Sequence, residues 1–512
     1  MATTDPIKEH RRITRKLALS LNRVEVFYWL LKNGYFPESY VLPPCFRVDR
    51  IPSKPTVYYK VKKNKYFPEV CELVKVHFPK TDLTDRTFGI IHPKIHNDIS
   101  YHIARNWKKI VAAAIPKDSK VTSYSFPIPI NKKAKGRIGH LRSGRMIYEF
   151  IEMTDDDLAS VAYRYNYILK ADIKNFFPSI YTHSISWAIH GKNVIRKPEN
   201  RQNFNFFGNR LDKLFQNAND GCTNGLPIGP VVSDLISEVI ASAVDVMLTK
   251  DIERDDIDCR AVRFKDDYRI LVKSEEDAKR IIKSLQSSLK EYNLELNDDK
   301  TNIYPLPSGL FREWASKYHA VYPRKKAHFK WKEFRELYLS VVDIDKLIPG
   351  TGVIDRFLAD IITEKGKLKV KIEKNNLQKV ISMLLMLGRL RVKTYPKIIA
   401  IIESILKSSN GKKKHNEIVT YLCKYFTELS LDEQRNKYLI SWISYFLVSN
   451  NLEGSIQAIP KFKDPITDSI LSNRGKIFTN QKDFKLFKGS KTIAKKMTML
   501  EHLEIFKPKT TL

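Results

Sequence analysis

Two adjacent aspartates, Asp266 and Asp267, are the residues of this sequence most suited to metal-dependent chemistry. Short β-prone runs over residues 261–264 and 268–272 flank them, and this pattern predicts a tight hairpin with both carboxylates at its tip. Two carboxylates about 4 Å apart repel by roughly 4 kcal/mol at an effective dielectric of about 20. A fold keeps such a pair if a cation lies between the carboxylates, or if the turn is simply exposed to water. The pair alone leaves both interpretations open.

A third aspartate, Asp172, ends an apolar run that predicts a β-strand, and two aromatic residues follow it at positions 176 and 177. A single aspartate at a strand end is weak support for a site. Together with the Asp266-Asp267 turn, it predicts a site where carboxylates from two adjacent strands hold two divalent ions. Mg²⁺ suits this arrangement because a hard cation accepts few protein carboxylates plus substrate phosphates.

A constrained loop lies between these two stretches, because Gly225, Pro227, Gly229 and Pro230 fall close together in the sequence. Glycine lets a backbone approach a ligand closely, and the ligand expected here is a nucleotide base pair. The loop leads into a predicted helix that continues through Val246.

Helices predicted from apolar periodicity must position these segments. Besides the helix after the loop, they cover residues 20–31, 101–114, 154–165 and 274–292. Ser20 and Ser274 are the predicted N-caps of the first and the last of these, and Gly34 lies just past the end of the first. The acidic run at residues 155–157 fits the first turn of a helix better than it fits a set of metal ligands.

A basic loop flanked by extended runs predicts a second hairpin over residues 121–151. Arg137, Arg142 and Arg145 lie near its turn or on its second strand. Because guanidinium pairs well with phosphate, a triphosphate or a nucleic-acid backbone is one expected ligand. A solvated basic loop is the alternative, and the two have equal support.

The composition is that of a basic globular protein. The 512 residues are enough for two or three domains with cores of their own, and 43% of them are hydrophobic. The net charge of +32 favours a polyanionic partner, with nucleic acid as the default. A merely soluble, Lys-rich surface is the alternative.

Other classes of site and location are disfavoured. The five cysteines are scattered without a CxxC pair, so disulfides and zinc ribbons are not expected. A location in the reducing cytoplasm is expected instead. His92 and His96 have a helical spacing, but Pro93 intervenes and no third zinc ligand is near. No signal peptide is recognisable, and the apolar runs are shorter than the ~20 residues of a membrane span. A soluble protein is therefore expected.

Four motifs follow one another in a significant order. They are Asp172 to Phe177, Gly225-Leu-Pro-Ile-Gly229, Phe264-Lys-Asp266-Asp267 and Leu296-Asn-Asp-Asp-Lys300-Thr301. Over about residues 120–305 this order resembles the successive palm motifs of reverse transcriptases. Within that superfamily, the form Arg-Phe-x-Asp-Asp-Tyr-Arg-Ile, the Pro-Ile-Gly-Pro loop and the helical tail resemble the bacterial abortive-infection (Abi) polymerases.

The sequence departs from the reverse-transcriptase pattern at three positions. Phe264 stands where Tyr usually begins the Tyr-x-Asp-Asp motif, and Asn224 stands where Gln often precedes the first glycine. Lys265 places a cation beside the aspartates. This cation is a reason to doubt that a template and primer bind in the geometry usual for reverse transcriptases, although it could also bind a phosphate of a nucleic-acid strand.

The resemblance implies a two-metal site. Asp172 and Asp266 would ligate both Mg²⁺ ions, with the backbone carbonyl of Ile173 as a further ligand and Asp267 in an auxiliary part. The ions, for which Mn²⁺ is an alternative, would activate a hydroxyl and stabilise the leaving pyrophosphate. Lys300 would complete the catalytic set by steadying that pyrophosphate, and a surface lysine is its alternative interpretation.

The resemblance also implies how a deoxynucleotide is bound. The ring of Phe177 would clash with a ribose 2′-hydroxyl and so select deoxynucleotides. Gly225, Pro227 and Gly229 would contact the dNTP together with the three arginines of the basic hairpin.

The C-terminal third predicts a different architecture, because helical patterns cover residues 353–364, 377–392, 396–408, 417–429 and 432–448. Ser430 with Glu433 predicts a capping box, and Asn410-Gly411 predicts the end of the preceding helix. Helix starts roughly every 20 residues suggest a HEAT-like array, with a plain bundle as the alternative. The expected fold is α+β, with reverse-transcriptase fingers and palm over residues 1–320 and an all-α HEAT-like repeat domain over residues 325–512.

The leading hypothesis is a Mg²⁺-dependent DNA polymerase that acts in bacterial defence against phage. Abi relatives imply untemplated synthesis within a homo-oligomer, primed by a tyrosine hydroxyl, so that dNTPs are substrates and the single-stranded DNA product is covalently attached. The sequence does not identify which of its 24 tyrosines would prime. The alternatives are a templated reverse transcriptase of retron or group II intron type, and a non-enzymatic nucleic-acid-binding scaffold.

Overall fold

The structure is a computed structural model that describes residues 5–80, 84–129, 153–322, 328–363, 367–370, 376–456, 460–478 and 482–503. The chain forms two compact units. The first contains residues 1–37, 50–75 and 88–311, and the second contains residues 38–49, 76–87 and 312–512. The domain limits 1–320 and 325–512 stay a prediction.

The strands of the described residues form one small and one larger sheet. They are β1 (Val74–Pro79), β2 (Asp85–Ile90), β3 (Val121–Ser123), β4 (Tyr167–Asp172), β5 (Cys259–Phe264), β6 (Asp267–Val272) and β7 (Asn302–Pro305). β1 pairs with β2, and the larger sheet has the order β3-β5-β6-β4-β7. The β3–β5 pair is parallel, whereas the other pairs of the larger sheet are antiparallel.

The larger sheet packs against an apolar cluster on each of its two faces. Successive side chains of a strand point to opposite faces. Accordingly, Leu169 and Ile270 belong to the main hydrophobic cluster of the first unit, whereas Ile168 and Leu271 belong to a separate, smaller cluster. All four side chains are fully buried.

Helices surround this sheet in the first unit. They are α1 (Pro6–Ser20), α2 (Arg23–Lys32), α3 (Pro93–Arg105), α4 (Trp107–Ala114), α5 (Phe176–Ser179), α6 (His183–His190), α7 (Lys192–Ile195), α8 (Pro198–Arg201), α9 (Phe207–Ala218), α10 (Val231–Arg254) and α11 (Glu275–Lys290). Residues 153–159 are also helical. α10 is longer than the sequence pattern predicts because buried Leu248 and Ile252 extend its packed surface past Val246.

Two N-terminal expectations are wrong in detail. Ser20 is the last residue of α1, and the N-cap of α2 is Asn22, which forms a capping box with Glu25. The predicted helix 101–114 is two helices, α3 and α4, which meet at Asn106, and α3 begins earlier, at Pro93. By contrast, Ser274 caps α11 by accepting the N–H of Asp277 at 3.0 Å, as predicted.

The second unit is largely helical in its described residues. Its helices are α12 (Glu313–Val321), α13 (Trp331–Leu347), α14 (Val353–Asp360), α15 (Leu377–Leu390), α16 (Tyr395–Lys407), α17 (Ser409–Lys413), α18 (His415–Ser430), α19 (Glu433–Ser449), α20 (Pro465–Leu471), α21 (Ser490–Ala494) and α22 (Met499–His502). The expected α+β fold with a helical C-terminal region is confirmed.

Two caps of the second unit differ from the prediction. Asp432, rather than Ser430, is the N-cap of α19, because its side chain accepts the N–H of Arg435. Gly411 does not end α16 but lies inside the short helix α17, which Ser408 caps.

A segment from the N-terminal part of the chain, residues 38–49, belongs to the second unit. The Tyr438 hydroxyl donates to the carbonyl of Tyr40 at 2.5 Å, and His502 Nε2 lies 3.0 Å from the carbonyl oxygen of Ser39. Asp49 pairs with Lys488 at 2.9 Å. None of the helices in the described ranges is both long and apolar enough to cross a lipid bilayer.

Candidate active site

Asp172 and Asp267 are directly paired across the antiparallel β4–β6 ladder, so their side chains leave the sheet on the same face. β4 ends at Asp172 and β6 begins at Asp267, while Lys265 and Asp266 form the turn before β6. The carbonyl of Asp266 accepts the N–H of Ile173 at 3.1 Å. The hairpin predicted from the sequence is present, and this hydrogen bond ties its tip to the end of β4.

Asp267 lies close to two other carboxylates, those of Asp172 and Asp266. The residue is in contact with solvent, but many protein atoms lie near its carboxyl group. The partial loss of hydration that they cause is the main reason why its pKa is raised to about 7. The negative charges of Asp266 and Asp172 raise it further, as does a hydrogen bond with Asp172, whereas Lys300 acts in the opposite direction. A hydrogen bond between two carboxyl groups requires a shared proton. The site therefore holds more negative charge than its own cation neutralises.

Asp172 is held by two donors from the segment before β7. Asn297 Nδ2 donates to its Oδ1 at 3.0 Å, and Lys300 Nζ donates to its Oδ2 at 3.1 Å. The Asp172 carboxylate is 9% exposed, whereas the Lys300 side chain is 62% exposed. Burial lowers the pKa of Lys300, but the bond to Asp172 and the surrounding carboxylates outweigh it, and the net pKa is raised. Lys300 is therefore a charged neighbour of the aspartates.

The donor chemistry of this corner fits a hard divalent cation, because carboxylate oxygens are the ligands that Mg²⁺ prefers. The pairing of Asp172 with Asp267 across the ladder supports this fit, since a cation would relieve the repulsion between the two carboxylates. Nevertheless, the described residues contain no group of three or more His, Cys, Asp or Glu side chains already arranged to hold a metal. Both oxygens of Asp172 are hydrogen-bonded instead. The N–H of Ile173 donates to the carbonyl of Asp266. That the carbonyl of Ile173 is a metal ligand stays a prediction.

Sequence reasoning did not identify the buried arginine beneath the turn. Arg263 is fully buried, and its guanidinium donates to Asp245 Oδ2 at 2.9 Å and to Glu238 at 3.3 and 3.4 Å. Both carboxylates are 2% exposed. Burial lowers the pKa of Arg263, but the charges of Asp245 and Glu238 reverse this and raise it, so the arginine stays charged. The sequence feature that could have identified Arg263 is its position as a charged residue inside a predicted strand, where the neighbouring apolar residues predict burial.

This buried network supports the aspartate turn directly. Arg263 Nη1 donates to the backbone carbonyl of Lys265 at 2.9 Å, and the N–H of Lys265 donates to Ser125 Oγ at 2.7 Å. Ser125 Oγ in turn donates to Glu238 Oε1 at 2.5 Å. Lys265 itself has a positive φ of 55°, a conformation that L side chains rarely adopt. Arg263 and Ser125 thus fix the backbone of the residue that precedes Asp266.

Phe177 and the glycine loop form one connected structure. The N–H of Leu226 donates to the carbonyl of Phe177 at 2.9 Å, and that of Gly225 donates to Ile180 at 2.8 Å. Gly225 has a φ of +91°, and Gly229 has a φ of +122°. The structure therefore places the loop containing Gly225, Pro227 and Gly229 beside Phe177.

Lys265 links this loop region to the aspartate turn. Its ammonium group lies 5.9 Å from the centre of the Phe177 ring, close enough for a cation–π contact, and 3.2 Å from Asp234 Oδ1. Asp234 lies in the first turn of α10. The Lys265 side chain thus connects Phe177, the predicted gate residue, with the turn that carries Asp266.

The sequence also predicts a set of phosphate-binding arginines and disfavours a zinc site at His92 and His96. Arg137, Arg142 and Arg145 fall outside the described residues. His96 is fully buried in α3, where burial lowers its pKa to about 3, and it packs against Tyr35 with ring centres 4.6 Å apart. The described residues contain no metal-ligand group at His92 and His96.

In the comparisons with known proteins, one family model matches part of the chain. Residues 115–331 match the family described as reverse transcriptase (RNA-dependent DNA polymerase). This matched segment contains β4, the glycine loop and the aspartate turn. Domains of this family generally use divalent metal ions.

Solved structures that resemble the chain include two telomerases at 12% sequence identity. Telomerase from Candida albicans, in complex with a fragment of telomeric RNA, matches with a TM-score of 0.24 over 59% of this chain and 53% of that one. Apo telomerase from Candida tropicalis matches with a TM-score of 0.32 over 77% and 71%. The chain thus spans about half the length of the first telomerase. No curated protein matches the sequence.

Proposed function

We propose that this reverse-transcriptase domain polymerises deoxynucleotides at a Mg²⁺ site built by Asp172, Asp266 and Asp267. The observation that carries the proposal is the cross-strand pairing of Asp172 with Asp267, which brings together carboxylates that are 95 positions apart in sequence (267 − 172 = 95). If these carboxylates had only a structural role in ion pairs, basic side chains would be held firmly between them. Here Lys300 is the cation that contacts Asp172, and its side chain is largely exposed and can move.

Divalent ions bound here would polarise phosphate oxygens and help to deprotonate the attacking hydroxyl. Asp172 and Asp266 would supply the main carboxylate ligands, with Asp267 in an auxiliary part. Asn297 would keep Asp172 oriented through the bond to Oδ1. Lys300 would release Asp172 Oδ2 and turn its ammonium towards the phosphates of the incoming nucleotide.

The loop beside Phe177 would hold the sugar and base of a dNTP. In this proposal the Phe177 ring excludes a ribose 2′-hydroxyl, and Gly225 and Gly229 let the backbone approach the nucleotide. The three arginines at positions 137, 142 and 145 would contact its phosphates.

At a finer level, we propose untemplated DNA synthesis primed by a protein tyrosine, within a homo-oligomer that serves anti-phage abortive infection. The support is the form of the motifs, Arg263-Phe-Lys-Asp-Asp-Tyr-Arg-Ile270 and Pro227-Ile-Gly-Pro230, together with the helical C-terminal region. Templated synthesis on an RNA is the competing activity.

The test incubates the purified full chain with Mg²⁺ and labelled dNTPs, with and without an added RNA template and a DNA primer. Product formed without template, which stays with protein after denaturation and is freed by protease, supports the proposal. Product that requires both RNA and primer replaces it with templated synthesis. Asp266→Ala must abolish either product, whereas Asp299→Asn, an exposed aspartate close in sequence to Lys300, serves as the matched control. Full activity of Asp266→Ala would eliminate the site.

A further inference from the structure

A cationic pocket separate from the aspartate site lies in the first unit, and the aspartate site uses none of its lining residues. It has a volume of about 310 Å³. Tyr59, Lys60, Tyr101, His102, Arg105 and Arg210 supply its polar and aromatic lining. Pockets of this size, about 300 Å³ and above, are large enough for a small ligand.

His102 is the most unusual of these residues. Its side chain is 7% exposed, and neither ring nitrogen has a hydrogen-bond partner within the part of the chain that the structure describes. Buried polar atoms are normally hydrogen-bonded, so an imidazole that lines the pocket and has two unpartnered buried nitrogens points to a ligand that supplies a partner. Burial is the main cause that lowers the pKa of His102 to about 3, so the ring is neutral and has one donor and one acceptor.

Two guanidinium groups meet at the same pocket without an opposing carboxylate. Arg105 donates to the Tyr101 hydroxyl at 3.1 Å, and Arg210 donates to the backbone carbonyl of Phe204. Neither forms an ion pair with an acidic side chain among the described residues. Burial, and then the charge of Arg105, lower the pKa of Arg210, while Tyr66 acts in the opposite direction. The positive charges of Arg105 and Arg210 therefore repel each other, and an anion between them would remove that repulsion.

Two acidic groups contact the segment that carries Tyr59. Asp98 accepts the backbone N–H groups of Tyr58 and Tyr59, each at 2.8 Å. Glu69 accepts the Tyr59 hydroxyl at 3.2 Å. These contacts fix the segment that contributes Tyr59, and the charged residues that line the pocket are the cations Lys60, Arg105 and Arg210.

We propose that this pocket binds the base and phosphate of a nucleotide. The phosphate would lie between Arg105 and Arg210, since guanidinium groups pair with phosphate through directed hydrogen bonds. The base would stack on Tyr101 or Tyr59 and share a hydrogen bond with His102, as bases commonly stack on aromatic side chains. The chemistry is the same for a free nucleotide and for one nucleotide of a strand, and the experiment separates these sources.

The experiment measures binding of AMP and of a ten-residue oligodeoxyadenylate to the full chain in EDTA, by equilibrium dialysis and fluorescence anisotropy. EDTA keeps divalent ions from the aspartates, so a failed polymerase proposal would not affect the result. Arg105→Gln is expected to weaken binding about tenfold, the loss of a charge-assisted hydrogen bond. Lys283→Gln, an exposed lysine on α11, removes one positive charge elsewhere and is expected to leave binding unchanged.

His102→Phe separates a ligand role from a structural one. Phenylalanine keeps the ring and removes two unpartnered nitrogens, so the melting temperature should stay or rise while nucleotide affinity falls about fivefold or more. AMP binding with these effects identifies a free-nucleotide site, and binding of only the oligonucleotide identifies a strand site. The proposal is overturned if neither probe binds, or if both variants bind as the unmodified chain does.

Discussion

Asp172 and Asp267 oppose each other across two neighbouring strands, and the pKa of Asp267 rises to about 7 through burial and the charges of Asp266 and Asp172. Like charges directly opposite in a ladder destabilise a sheet. The pairing at this strand end thus costs stability that a bound cation would restore.

Replacing Asp267 with Asn should separate stability from activity. Without divalent ions, the variant should be more stable than the unmodified chain because one repelling charge is gone, by less than about 1 kcal/mol given the open side chain. Nucleotide incorporation should fall, because an amide is a weaker ligand for Mg²⁺ than a carboxylate. Urea unfolding in EDTA and incorporation assays in Mg²⁺ measure the two effects. Lower stability together with full activity would contradict the assignment.

Mg²⁺ should stabilise the unmodified chain. At a concentration ten times its dissociation constant, an ion that binds only the folded protein adds about 1.4 kcal/mol to the free energy of unfolding. Asp266→Ala should lose most of this gain. NaCl at matched ionic strength controls for general screening. An equal gain in the variant would place Mg²⁺ elsewhere on the protein.

Phe177→Ala should admit ribonucleotides, since the ring would no longer occupy the space of a 2′-hydroxyl. The ratio of kcat/KM for dATP to that for ATP should fall by about 100-fold, which corresponds to about 2.7 kcal/mol of discrimination. Phe264→Ala, at the end of β5, controls for general damage near the turn. Unchanged sugar selectivity would show that another residue is the gate.

Arg263→Met should destabilise the first unit strongly. It leaves Glu238 and Asp245 buried without their cation, and removing one member of a buried charge network costs about 3–5 kcal/mol. Urea unfolding measures the loss, and Arg254→Met on the exposed end of α10 is the matched control. The triple variant that also carries Glu238→Gln and Asp245→Asn should recover part of the stability but not the incorporation rate, because the Lys265 carbonyl loses its donor.

The His183–Asp212 pair should make stability depend on pH. The hydrogen bond with Asp212 is the main cause that raises the pKa of His183. Because the folded-state pKa lies above the unfolded value, of about 6.5, the pair stabilises fully below that value and loses its contribution as pH rises through the folded pKa. The difference in unfolding midpoint between the unmodified chain and His183→Gln should therefore be larger at low pH than at high pH. An equal difference at all pH values would exclude this linkage.

Local patterns were enough to predict the elements that carry the aspartates. An apolar run identified the strand that ends at Asp172, and β-prone runs on either side of two aspartates identified the hairpin around Asp266. A serine before an acidic turn identified the cap of α11. The error at Ser20 was avoidable, because Asn22 followed by Glu25 is itself a local capping signal.

Contacts between distant segments could not be predicted in this way. The register that sets Asp172 opposite Asp267 depends on how two strands meet, not on either sequence alone. Arg263 looks like a surface cation until Glu238 and Asp245 of α10 are known to lie beside it. The same holds for His102 and Arg210, which come from different helices and meet only in the folded unit.

The second unit cannot be completed early during synthesis. Its contact between Ser39 and His502 joins residues 463 positions apart, so the chain must leave the ribosome as far as residue 502 before this contact forms. Contacts this distant slow folding, because a long loop must close first. Fragments that end near residue 311 would expose the apolar and aromatic residues of segments 38–49 and 76–87 and should aggregate.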